Sequence, residues 1–391
     1  MGTINTFLKK IKSKNKKNYS IFFILISFFV LGASCGDEPV PFEPTPYNLT
    51  IPAYFPTQLN IPDDNPLTVE GIVLGRYLFY DTKLCGYTGT NPDSMMTCAT
   101  CHNQAHAFEV GMDNPRFPNG KTYGLSGAFT PHNMLPLVNL VFNHEGYFWN
   151  GYIHPTNPNS NHRTLEDVVS MGIIAPHEMN STTARAVAAI QSDPKYPDLF
   201  KKAFGTTEIT IERIEKAIAQ FVRTLVSGNS KFDRYMKGLE QLTPSELNGY
   251  ILFTTEEGAD CFHCHGGNGT PLFTTNLFYN NGLSNVFNDT RDRYAVTGNQ
   301  NDIGAYRAPT LRNIEVTAPY FHDGRFTTLD QVLEFYNSGL VYSPYVSPLM
   351  HKINQGGMML TPSQITDLKA FLYTLTDHEF LTNPKFSDPN Q

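Results

Sequence analysis

Cysteine is scarce in this chain, six residues in 391, and four of the six fall in two Cys-x-x-Cys pairs. Only Cys35 and Cys85 remain, which excludes a disulfide framework and leaves at most one Cys35 to Cys85 bridge. Tryptophan occurs once, as Trp149. The apolar run Ile21 to Leu31 falls short of the ~20 residues a membrane-spanning helix needs. Positive charge is also in deficit: 29 Lys and Arg stand against 36 Asp and Glu, a net charge of -7. Residues 1–34 hold six lysines and no acid, so without them the balance becomes -7 - 6 = -13. An acidic chain of this kind is not expected to bind nucleic acid.

What the chain does contain is one pentapeptide pattern twice: Cys98-Ala-Thr-Cys101-His102 and Cys261-Phe-His-Cys264-His265. On a helical turn, residues three and four apart share a face. Each motif can therefore aim two thiols at a porphyrin's vinyl groups and an imidazole at its iron. A four-cysteine zinc ribbon spaces its pairs about 15–20 residues apart. Here Cys98 and Cys261 are 163 apart, and a histidine follows each pair. Two covalently bound c-type haems are the expected cofactors.

The N-terminus divides from the rest. Lys9, Lys10, Lys12, Lys14, Lys16 and Lys17 precede the apolar run, and Leu31-Gly32-Ala33-Ser34-Cys35 follows it. Residues 1–34 read as a lipoprotein-type signal peptide, with Cys35 as the lipidated first residue and membrane attachment through it. An ordinary signal peptide cut nearby is the alternative. Residues 35–66 carry Pro39, Pro41, Pro44, Pro46, Pro52, Pro56, Pro62 and Pro66 and read as an extended tether. Periplasmic or outer-envelope localisation follows.

Beyond the tether a pattern repeats. A helix ending Gly75-Arg-Tyr-Leu78-Phe79 precedes the first haem motif, and one ending Gly249-Tyr-Ile-Leu252-Phe253 precedes the second. Thr243-Pro-Ser-Glu246 and Thr361-Pro-Ser-Gln364 are capping boxes with Pro at the first helical position. Ile211, Ile214, Ile218, Phe221, Val222 and Leu225 form one apolar helix face, expected to close at Gly228. Strand periodicity is weak. The expected fold class is mostly α: two cytochrome c-like domains, residues 67–235 and 236–391, each with one haem and long irregular loops.

Three further stretches carry a family resemblance. They are Asn143 to Tyr152 with Phe148-Trp149-Asn150-Gly151, then Ala175-Pro-His177-Glu178-Met179, and Tyr306-Arg-Ala-Pro-Thr-Leu-Arg-Asn313 running into Ala318-Pro-Tyr-Phe-His322-Asp-Gly-Arg325. Over about residues 62 to 380 the chain resembles the bacterial di-haem cytochrome c peroxidase and MauG family. The resemblance implies that the N-terminal haem meets hydrogen peroxide and the C-terminal haem receives electrons. Glu178 matches the family's catalytic carboxylate, a general acid and base for peroxide cleavage. His102 and His265 match the proximal iron ligands, and Trp149 takes the family's position between the haems. Tyr336 stands where many family peroxidases have a ligating Met, as in MauG, with Met350, Met358 and Met359 downstream as competitors. Asn133, Thr317 and Pro319 fall where the family binds calcium, the latter two through backbone carbonyls.

The resemblance also breaks in places. Residues Gly111 to Pro131 lack the histidine that closes the peroxidatic iron in members needing reductive activation. His132 replaces an Arg, Val168 a Gln and Tyr152 an Arg. An insert from Ile153 to Arg163 adds His154 and His162, and His177 lies beside Glu178 as a candidate distal ligand. The favoured expectation is a peroxidase fed by a small, basic cytochrome c or cupredoxin. The alternatives are a MauG-type oxidase modifying a protein or organic substrate through high-valent iron, and a non-catalytic di-haem electron carrier.

Overall fold

The computed structural model describes residues 42–87, 89, 94–157, 160–267 and 270–391. The expected leader, Cys35 and the start of the tether lie outside the described residues. Regular structure is mostly helical. The first half holds α1 (Val69–Phe79), α2 (Cys98–Cys101), α3 (Leu165–Ile174), α4 (Thr183–Gln191), α5 (Tyr196–Phe204) and α6 (Ile211–Arg223). The second holds α7 (Lys231–Met236), α8 (Pro244–Phe253), α9 (Phe262–His265), α10 (Tyr294–Thr297), α11 (Leu329–Ser338), α12 (Pro362–Tyr373) and α13 (His378–Thr382). A two-residue antiparallel pair joins β1 (Phe278–Tyr279) to β2 (Tyr306–Arg307).

The repeated Gly-x-x-Leu-Phe pattern marks the same packing event in both halves. In α1, a Cβ on Gly75 would lie 1.9 Å from the Ala217 carbonyl oxygen of α6, so only glycine permits this crossing. In α8, a Cβ on Gly249 would lie 2.0 Å from the Asp367 carbonyl oxygen of α12. Each glycine lets its helix meet the partner backbone directly. Phe79 and Phe253 then close the helices inside the two cores. Both capping boxes form, at Thr243 with Glu246 and at Thr361 with Gln364. Helix α6 buries the expected face but stops at Arg223, ahead of Gly228. There the Thr224 hydroxyl donates to the Phe221 carbonyl at 2.6 Å and turns the chain out of the helix.

Apolar burial separates into two main clusters. One gathers Leu74, Phe79, Phe108, Tyr147, Ile173 and Ile218, the other Phe232, Phe253, Phe273, Leu333, Leu368 and Phe371. The C-terminal segment crosses back: Phe380 belongs to the first cluster, and Arg76 Nε donates to the Ser387 carbonyl at 2.6 Å. The stretch read as a tether is not free from Phe42 onward, and it turns where Phe55 N bonds to the Pro52 carbonyl and Asn65 N to the Pro62 carbonyl. Leu49, Ile51, Phe55, Leu59 and Ile61 pack with Val141, Phe142 and Leu272, because the residues between the prolines are apolar enough to repay ordering.

Buried ion pairs pin each half. Arg312, fully buried, grips Asp233 with two bonds of 2.7 and 2.8 Å, and Arg223 grips Glu166 at 2.6 and 3.0 Å. Breaking such a pair from one side costs roughly 3–5 kcal/mol, since an uncompensated charge stays buried. Between the halves, Asp377 Oδ2 accepts from the backbone of Gly228 and Asn229 and from Ser227 Oγ, and within the first half Asn139 bonds both ways with Ser227.

Candidate functional site

The short helix α2 begins at a capping box between Thr97 and Thr100 and carries both thiols of the first motif. Burial pushes the Cys98 thiol up to about 12, with the nearby Glu178 charge adding to the effect. His102 follows at the helix end, and its Nδ1 lies 2.8 Å from the Phe108 carbonyl oxygen. That carbonyl is presented by a tight loop: Ala107 and Phe108 take left-handed φ of 53° and 61°, and Asn103 bonds to both Phe108 and Glu109 through its backbone. A ring nitrogen facing a carbonyl must carry the proton, so Nε2 is left as the lone-pair donor that an iron requires.

The second motif repeats the device. His265 Nδ1 lies 3.1 Å from the Pro309 carbonyl, and burial drops the imidazole to about 4. Burial likewise raises Cys264 to about 12. Pro309 belongs to the Tyr306-to-Asn313 stretch, which thus serves cysteines and a histidine far from it in sequence.

Each motif opens into its own cavity. The first, about 570 Å³, is lined by Cys98, Cys101 and His102 together with Trp149, His177 and Glu178. The second is lined by Cys261, Cys264, His265, Tyr336, Met350 and Met358. Two thiols, a tautomer-fixed imidazole and a largely apolar wall fit a covalently held porphyrin in both places.

Glu178 stands on the loop after α3. Its backbone N–H bonds to Ala175 and its carbonyl accepts from Leu125 N at 2.9 Å. Gly124 makes the clamp possible, since a Cβ there would meet the backbone of His177 and Glu178 at 2.2–2.3 Å. The side chain keeps 32 % of its surface open and lines the first cavity. Burial pushes the carboxyl up to about 7. His177 Nε2 lies 4.0 Å from the Glu178 carboxylate, too far for a hydrogen bond, and burial lowers its imidazole.

Trp149 lines both cavities. Its Nε1 donates to the Asn133 carbonyl at 2.8 Å, and its own carbonyl accepts from Arg307 N at 2.8 Å. All three residues that depart from the family pattern, His132, Tyr152 and Val168, line the first cavity. His154 and His162 do not: the first bonds to Thr156 and the second pairs with Asp167 at 3.3 Å. Tyr336 faces the second cavity, where Asn281 Nδ2 donates to its hydroxyl at 2.9 Å. Met359 is 65 % exposed and drops out as a competitor. Asn133 and Pro319 do meet, with the Asn133 amide donating to the Pro319 carbonyl at 2.6 Å. Holding a cation there needs the amide turned to present Oδ1, with the Thr317 carbonyl nearby in the chain.

Sequence reasoning passed over a group that joins the cavities. Asp289 Oδ2 accepts from Tyr306 OH at 2.6 Å and faces His132 Nε2 at 2.7 Å; the Tyr306 ring stacks on His322 at 3.6 Å and 9°. Arg307 lines both cavities with its guanidinium on the carbonyls of Glu145, Gly146, Phe148 and Asn276. Burial, with Arg293 nearby, lowers it to about 9. Asp289 sits in a loop without motif character and left no signal, whereas Arg307 was inside a quoted motif.

A fold of this kind, with two paired-thiol-and-histidine cavities bridged by one indole, defines a di-haem c-type oxidoreductase. The model of the di-haem cytochrome c peroxidase domain matches residues 69–241. Cytochrome c551 peroxidase of Nitrosomonas europaea is 35 % identical over 69 % of this chain and 73 % of its own length. Methylamine utilization protein MauG of Methylorubrum extorquens is 31 % identical over 82 % of each. A crystal structure of a MauG-like protein associated with microbial copper homeostasis superposes with a TM-score of 0.74 at 31 % identity, over 88 % of this chain and all of that one. The chain belongs to the di-haem cytochrome c peroxidase and MauG family and is an oxidoreductase of the cytochrome c peroxidase type. Haem c is the cofactor its family implies. Among the described residues no helix is long and apolar enough to cross a membrane.

Proposed function

We propose that the protein reduces hydrogen peroxide to water in the Cys98/Cys101/His102 cavity, with electrons entering through the Cys261/Cys264/His265 cavity. The observation that carries this reading is the Glu178 carboxyl, raised to about 7 inside the first cavity. Haem bound at both motifs supplies the iron that accepts peroxide and the two electrons that cleave it. The residues of this chain handle protons and positioning. Ionised Glu178 takes the proton from the peroxide oxygen nearer the iron and returns it to the outer oxygen, which leaves as water. With two electrons and two further protons, both oxygens end as water. A group titrating near neutrality suits both halves of that transfer. Trp149, on the wall of both cavities, is the candidate electron relay.

The division into domains 67–235 and 236–391 belongs to this reading; the two apolar clusters follow it broadly, with Phe232 packing in the second cluster and Phe380 in the first. So do covalent attachment of both haems, a calcium ion held by Asn133, Thr317 and Pro319, lipid anchoring at Cys35 in the periplasm or outer envelope, and a small basic redox donor. An acidic surface steers such a donor.

Tyr336 favours a second reading. A tyrosine hydroxyl in the second cavity, held by Asn281, suits a ferric iron and an oxidase acting on a protein or organic substrate. Steady-state peroxide consumption with reduced cytochrome c separates the two. The first reading expects turnover about 10²–10⁴-fold lower in Glu178→Gln; wild-type protein that consumes peroxide only with an organic or protein co-substrate supports the second.

A further inference from the structure

Among the described residues, one cluster of ligating side chains has no role in either reading. Glu256, His263 and His351 each place one ligand atom within 4.8 Å of the other two. Glu256 lies on the turn after α8, His263 lies between the cysteines of the second motif, and His351 comes from the loop before α12.

A fourth residue organises the cluster. Asp260, its carboxylate only 6 % exposed, faces His263 Nδ1 with one oxygen at 2.6 Å and His351 Nδ1 with the other at 3.0 Å. One buried carboxylate thus holds two imidazoles by the same ring nitrogen. Each ring donates its Nδ1 proton, and each Nε2 is left as a lone pair. Carboxylate–histidine–metal chains are built this way, the outer carboxylate setting the tautomer and the ring's aim. The two rings stand edge to face with centroids 5.0 Å apart.

Spacing supports the same conclusion. With metal–ligand bonds of about 2.0–2.1 Å, neighbouring ligands of a tetrahedral ion lie about 3.3 Å apart. His263 Nε2 and Glu256 Oε1 are 3.6 Å apart, so a small rotation of the exposed Glu256 closes the gap. Two imidazoles and a carboxylate select a first-row divalent ion of the zinc or copper kind over calcium, which takes oxygen donors.

We propose that Glu256, His263 and His351, oriented by Asp260, form a divalent transition-metal site at the rim of the second haem cavity. Asp260 and His351 line that cavity, so the site sits at its mouth. The proposal is independent of what the protein does with peroxide.

Calorimetric titration of Zn²⁺ into untagged, chelator-stripped di-haem protein tests it. One saturable equivalent of micromolar or tighter affinity is expected, with excess Ca²⁺ failing to compete. His351→Ala and the surface variant Glu256→Gln should each weaken binding about tenfold or more while the haem absorption spectrum stays unchanged. Absence of saturable binding, or wild-type affinity in either His351→Ala or Glu256→Gln, overturns the site. In that case the four side chains are an ion-pair network only.

Discussion

The indole nitrogen of Trp149 donates a hydrogen bond of 2.8 Å to the backbone carbonyl of Asn133, and this bond holds the ring on the wall shared by the two cavities. The same Asn133 receives no slack elsewhere: its N–H bonds to the His322 carbonyl at 2.7 Å and its amide to Pro319 at 2.6 Å. The ring is therefore placed through Asn133 by the Pro319–His322 segment, far away in sequence.

Replacing Trp149 with Phe removes the donor and leaves the Asn133 carbonyl unpaired, at a cost of about 1–3 kcal/mol. Peroxide turnover with an external donor should drop about tenfold or more, equivalent to ~1.4 kcal/mol on the barrier. Haem content should stay at two per chain. Stopped-flow reduction of the second haem, compared with peroxide-driven reoxidation, checks it: the first should be normal and the second slow. Equal rates in wild type and variant would remove Trp149 from the relay.

Glu178 predicts a pH profile. Its carboxyl, raised to about 7 by burial, is the active base only when ionised. The value of kcat/KM for peroxide should therefore fall about tenfold per pH unit below 7. In Glu178→Gln the rate should be about 10²–10⁴-fold lower and that acidic limb should vanish. A limb that persists in the variant assigns the titration to another group.

Tyr336 is testable by electron paramagnetic resonance of the oxidised protein. Tyr336→Phe should change the signal of the second ferric haem and leave the first unaltered. Met358→Leu, on the same cavity wall, should change neither. If the methionine variant shifts the second signal and the tyrosine variant does not, the ligand is Met358.

Glu109 carries a stability prediction. It is 1 % exposed, Oε2 accepts from Gly111 N at 2.8 Å, and Oε1 has no partner among the described residues. Burial raises its carboxyl well above the ordinary 4.5. Above pH 4.5 the unfolded chain has released a proton that the folded form still holds. Stability must then fall as pH rises toward the folded-state value. Denaturant melts at pH 5 and pH 8 should show that decline in the wild type and a shallower one in Glu109→Gln. Identical slopes would show that Glu109 does not titrate in this window.

Much of the site was legible before folding because its chemistry is local. Two thiols and an imidazole within five residues share one helical turn, so the Cys98–His102 and Cys261–His265 motifs announce both cofactor sites by spacing alone. The glycine at the helix crossing was visible for the same reason: Gly75 and Gly249 stand at equal distances from Phe79 and Phe253. The end of α6 was misplaced by a few residues because the Thr224 hydroxyl, not Gly228, takes over the last carbonyls. The Pro-rich segment showed extension but not docking, since the partners of Phe55 and Leu59 lie at Val141, Phe142 and Leu272.

Sequence by itself determined the haem motifs and the caps of the long helices, both properties of neighbouring residues, while Glu178 was singled out by the family resemblance of its motif. Tertiary structure alone decided which carbonyl orients His265, which wall Trp149 occupies, and that Asp289 and Asp260 draw in His132 and His351 from distant loops. Those depend on backbone groups and short-range contacts between segments tens to hundreds of residues apart. A hydrogen bond acts over about 3 Å of space whatever the separation along the chain.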